Sequence, residues 1–95
     1  MRVCAPLCVL ALAACSPWYW EGPDVSGRTI GPILLSAEGI RRACEADAYG
    51  CFVPGQAVIY LRQDATRSPR RCELPERQPW TTEEHEWCHA KGWRH

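Results

Sequence analysis

Apolar residues fall into three patterns along this chain. From Val3 to Ala14 they run almost unbroken, VCAPLCVLALAA. At Ile40, Ala43 and Cys44 they recur at helical spacing, with Arg41, Arg42 and Glu45 turned the other way. From Ala57 through Val58, Ile59 and Tyr60 to Leu61 they form a short block of β-branched and aromatic residues after the turn pair Pro54-Gly55. That block predicts a strand. Ser36 is placed to cap the amide of Gly39, so the spacing predicts a helix from Ala37 to Ala48, with Gly50 near its stop. A second helix is predicted over Thr82 to Lys91. Thr81 and Glu84 match a capping box, Glu83, Glu84 and Glu86 sit near the positive end of the dipole, and Gly92 suits a left-handed stop.

The stretches between these elements are polar. Residues 16–35 are rich in Pro and Gly and read as a tether and lead-in, with a short extended piece at Ile33 to Leu35. Trp18, Tyr19 and Trp20 suit either a headgroup-level anchor or packing on the small domain. Residues 62–79 carry three prolines and read as a surface loop. The expected fold is a small α+β domain over residues 36–95: a backing helix, one or two short strands, and a last helix packed across them.

Charge and cysteine content narrow the class. Eleven basic and eleven acidic residues give no net charge, and only Arg67, Arg70 and Arg71 cluster. No nucleic-acid partner is expected, and RSPRR reads as a solvated loop. The apolar run at the start follows a single Arg2 and is shorter than the ~20 residues a membrane helix needs. It has the layout of a secretory signal. Leu12-Ala13-Ala14-Cys15 resembles the lipobox of bacterial lipoproteins. The resemblance implies removal of residues 1–14, lipid on Cys15, and membrane anchorage of residues 15–35. Ser16 after Cys15 then points to the outer membrane, facing the periplasm. Cys44, Cys51, Cys72 and Cys88 remain, an even set suited to two disulfides in an oxidising compartment. Three pairings are open; loop length favours Cys44–Cys51 and Cys72–Cys88.

The chemistry is concentrated in HEWCHAKGWRH, residues 85–95, which holds all three histidines of the chain. Residues four apart share a helix face, so His85 and His89 can hold one metal ion while Glu86 reaches a water on it. Gly92 lets the chain turn sharply, and His95 can arrive as a third ligand. Trp87 suits core packing, and Cys88 suits a structural disulfide rather than a ligand. The string H-E-x-x-H-x-x-G-x-x-H resembles the zinc motif of metzincin peptidases. The resemblance implies a minimal zincin-like core and one Zn²⁺ on His85, His89 and His95. It also implies Glu86 as general base, peptide hydrolysis, and a substrate aligned along an edge strand, for which Ala57–Leu61 is the candidate. That family carries a methionine turn beyond the third histidine. Met1 is the only methionine here, so either a protein partner completes the cleft or the cleft is open and shallow. The alternative is an envelope lipoprotein that binds zinc without catalysis, or is purely structural and held by its disulfides.

Overall fold

A computed structural model describes residues 19–20, 22–73 and 81–95. In chain order they form β1 (Tyr19–Trp20), a 3₁₀ turn at Ser26–Arg28, β2 (Ile30–Leu35), α1 (Ala37–Cys44), β3 (Gly50–Val53), β4 (Val58–Arg62), α2 (Thr82–Ala90) and β5 (Trp93–Arg94). The fold is a small α+β arrangement with a three-stranded sheet ordered β2-β4-β3 and a two-stranded ribbon, β1 with β5. The signal-peptide and Cys15 expectations, and Trp18, lie outside the described residues.

β4 runs parallel to β2 and antiparallel to β3. The β3–β4 hairpin turns over Pro54-Gly55, closed by Gln56 N–H to Val53 O at 3.1 Å and Ala57 N–H to Pro54 O at 3.2 Å. Ala57 has a φ of 54° and belongs to this turn, so the strand begins at Val58 and ends at Arg62 rather than spanning 57–61. Side chains alternate across the sheet. Ile59 and Leu61 are fully buried in a core cluster with Trp87, Cys88, Ala90, Ala65 and Cys72, against which Phe52 packs. Cys51, opposite Tyr60 in register, is bridged instead to α1. The two helices therefore cover opposite faces, and β4 is the buried middle strand.

This overturns the expectation that Ala57–Leu61 is an edge. Both backbone sides of β4 are occupied by neighbours, which leaves it no row of unpaired N–H and C=O groups to offer an added strand. The edge on the α2 side of the sequence is β3.

α1 stops earlier than expected. The Ser36 hydroxyl accepts from Gly39 N–H at 3.1 Å as its sequence position suggests, but the helix ends at Cys44, with Glu45 left-handed at φ 58°. The cause is the Cys44–Cys51 disulfide, whose Cα atoms are 5.8 Å apart. Seven residues must reverse the chain and start β3, so a helix running on to Ala48 would carry it away from its partner. Gly50 begins a strand instead of ending a helix. Cys72–Cys88 forms the second disulfide and joins the long loop to α2.

Residues 16–35 are also more ordered than a lead-in where described, and the folded unit begins before Ser36. β2 spans Ile30–Leu35 and pairs with β4 at Ile30 and again from Ile33 to Leu35, with an irregularity in between. Gly31, at φ 125°, lies so close to β4 that a Cβ there would sit 2.6 Å from Ile59 O.

Candidate metal centre

α2 starts at Thr81, whose hydroxyl accepts from Glu84 N–H at 3.1 Å. Its first-turn acids do more than complement the dipole. Glu83 is buried, accepts from Arg67 Nε at 2.6 Å and from Ser68 N–H at 3.0 Å, and so pins the preceding loop to the helix start. Glu84 pairs with Arg70 at 3.3 Å, and the Arg71 guanidinium stacks 4.1 Å from the Trp87 ring centre. RSPRR is therefore a packed strap in place of the expected solvated loop. Trp87 and Cys88 are buried in the core, as expected of a packed ring and a bridged cysteine. Trp87 lies about half a turn round the helix from His85 and His89, which are half-buried beside the cavity.

The return of the chain after α2 decides where His95 goes. Gly92 adopts φ 106°, a left-handed value that favours glycine. β5 then pairs antiparallel with β1, Tyr19 opposite Arg94 and Trp20 opposite Trp93. Two more backbone bonds hold the same turn, Gly22 N–H to Gly92 O at 3.3 Å and Val25 N–H to Ala90 O at 2.9 Å. The segment expected to be a tether thus clamps the end of the motif.

The result is a close cluster of imidazoles. Ring centres of His85, His89 and His95 are 4.8–4.9 Å apart in all three pairs. One ring nitrogen from each lies within 4.8 Å of the other two, so together these residues could hold a metal ion. His89 Nε2 and His85 Nε2 are 3.2 Å apart. Nitrogens bound to one tetrahedral zinc at the usual bond length are roughly 3.3 Å apart. His89 Nδ1 lies 2.9 Å from Trp93 O. Donating there fixes the tautomer and leaves Nε2 as the lone-pair donor facing the cluster.

Burial holds the His85 pKa down at about 4, reinforced by the neighbouring His89 and His95. Burial also lowers that of His89, against the opposing bond to Trp93, with the charges of His95 and Arg94 adding to the drop. Both imidazoles are then neutral near pH 7, the form that ligates a cation.

Glu86 lies beside this cluster on α2. It is 6% exposed, and burial pushes its pKa up to about 7 against a hydrogen bond from the Phe52 backbone N–H of β3. It lines a cavity of about 400 Å³ together with the three histidines, Phe52 and Arg94. A second cavity, of about 380 Å³, continues past His85 and Glu86 to Thr82, Thr66 and Tyr49.

The structure thus brings His85, Glu86, His89 and His95 together, with Gly92 at the turn that allows it. The strand residues Ala57, Val58, Ile59, Tyr60 and Leu61 line neither cavity, and Tyr60 bonds Gln56 at 2.9 Å. Sequence reasoning missed Phe52 and Arg94. No local signal marks Phe52, whose role comes from register; Arg94 sits inside the motif, in a variable position. No helix among the described residues is long and apolar enough to cross a membrane. No family model matches this chain, and neither a curated protein nor a solved structure is significantly similar to it.

Proposed function

We infer that this protein is a zinc-binding, metallopeptidase-like lipoprotein of a bacterial envelope, with His85, His89 and His95 as metal ligands and Glu86 as general base. The observation that carries the reading is the convergence of three imidazoles with a buried carboxyl in one cavity. The donor set fits zinc: three imidazole nitrogens, one pair already at the tetrahedral spacing, and the others within about 1.5 Å of it. A zinc ion there would supply Lewis acidity and a strongly acidified water.

The chain's own groups do the rest. His89 is oriented by Trp93 O, and Phe52 N–H holds the Glu86 carboxyl in the cavity that the histidines line. Glu86 takes a proton from the attacking water as the new C–O bond forms at the peptide carbonyl. It returns that proton to the leaving nitrogen as the C–N bond breaks. The H-E-x-x-H-x-x-G-x-x-H spelling supports a zincin-like core around this site. The lipobox spelling at residues 12–15 supports lipid on Cys15, outer-membrane anchorage and a periplasmic setting.

A second reading keeps the zinc without the hydrolysis, and the bond from Phe52 N–H to buried Glu86 favours it, since that bond alone gives the carboxyl a structural use. Metal content separates these readings from a purely disulfide-held domain. The protein, exported and oxidised, should carry one zinc per chain, and His95→Ala should lose or loosen it. An absence of zinc after loading at neutral pH would sink both metal readings. Glu86→Gln should keep zinc and abolish peptide cleavage; if no peptide is cleaved by the zinc-loaded parent, the non-catalytic reading stands. Replacing Cys15 with Ser should release the protein from membranes.

A further inference from the structure

Arg94 lines the same cavity as the histidines and Glu86, yet nothing in the reading above uses it. Its guanidinium is fixed on one side. Nη1 donates to His89 O at 3.1 Å, a carbonyl at the end of α2, and to Trp93 O at 2.8 Å. Trp93 O is also the acceptor that orients the His89 ring. One carbonyl oxygen therefore joins the cation to a ligand imidazole. The other side of the fork, Nε–H with the two Nη2 protons, has no partner among the described residues. Gly22 faces that side, where a Cβ would come within 3.3 Å of Nη2.

An arginine held by two carbonyls on one side, with its other side open, is a preorganised receptor for a carboxylate. Two parallel N–H···O bonds fit that group, and little side-chain freedom is left to lose. The cavity is also asymmetric. Its β5 end carries this permanent cation, whereas the continuation past Glu86 is lined by Thr66, Thr81 and Thr82. Bound acids would be directed to the β5 end.

We propose that Arg94 binds the carboxylate of a peptide ligand whose reacting group lies at the histidine cluster, so that the preferred substrates are short peptides with a free carboxylate next to the scissile bond. This deepens the metal-centre reading and rests on it.

The test uses two hydroxamates that differ only in a free carboxylate or its methyl ester, titrated by calorimetry into the zinc-loaded protein. The parent should bind the acid at least tenfold more tightly than the ester. Arg94→Gln should bring the two together while leaving ester affinity within about twofold, and Arg94→Lys should keep part of the preference. Equal affinities in the parent overturn the proposal, as does failure of both probes on zinc-loaded protein. An Arg94→Gln variant that weakens both probes alike also overturns it, because Arg94 then only caps the helix. If Arg94→Gln does not fold, the parent and Arg94→Lys preferences decide the matter. No zinc uptake at all removes the metal-centre reading and this proposal with it; zinc uptake without acid preference removes this proposal alone.

Discussion

Glu86→Gln offers a direct test of the site in the metal-free protein, by stability alone. The Glu86 carboxyl is buried and its pKa stands at about 7, against an ordinary 4.5. A raised folded-state pKa means that the native state holds the proton more tightly than the unfolded chain does. The stability this provides is fully present below about pH 4.5 and is lost as pH rises through about 7. Each pKa unit is worth ~1.4 kcal/mol, so the parent loses about 3 kcal/mol through this group by pH 8. Gln has nearly the same shape, can still accept from Phe52 N–H through its carbonyl, and does not ionise. His85 pulls the other way: its lowered pKa gives stability present above about pH 6.5 and lost as pH falls through about 4. That contribution is shared by parent and variant and cancels in their difference, which is why the comparison is needed. The assay is urea unfolding in chelator at about pH 4.5 and pH 8. Glu86→Gln should match the parent within about 1 kcal/mol at the lower pH and gain about 3 kcal/mol on it at the higher. With a slope near 1 kcal/mol/M for so small a chain, that is a midpoint shift of about 3 M. Parallel stability curves for the two proteins would refute the burial of this carboxyl, and with it the site geometry built on it.

Gly92→Ala should cost about 1–2 kcal/mol, because alanine strains at φ 106°. It should also weaken zinc binding by displacing β5 and His95; calorimetry with thermal melts reads both. Replacing Cys72 and Cys88 together with Ser should lower stability by about 3 kcal/mol, from the sixteen-residue loop it frees, as chemical unfolding would show. Arg67→Ala removes a charged donor from buried Glu83 while Ser68 N–H remains, and should cost about 1–2 kcal/mol by the same assay. A loss below ~0.3 kcal/mol would mean that the strap is not packed as described.

Much was legible locally. Ser36 and Thr81 cap helices where their hydroxyls can meet amides three residues on, a relation contained in a few adjacent residues. A short block of β-branched and aromatic residues after a turn pair marked the strand around Val58–Leu61, and short loop lengths selected Cys44–Cys51 and Cys72–Cys88. The helical period put His85 and His89 on one face, so half of the candidate metal centre was readable without any fold. What the sequence alone could not decide were the relations between distant segments. The middle place of β4 depends on β2, twenty-odd residues earlier, whose Gly- and Pro-bearing stretch gives little local strand signal. The early end of α1 depends on a bridge rather than on helix propensity. His95 reaches the cluster because Tyr19–Trp20 and Gly22 pair with the turn at Gly92 and the strand after it, seventy or more positions away. Backbone pairing of this kind uses groups that every residue possesses, and so leaves no mark in the side-chain pattern. The candidate ligands belong to the sequence; their convergence, the support from Phe52 and the open face of Arg94 belong to the tertiary structure.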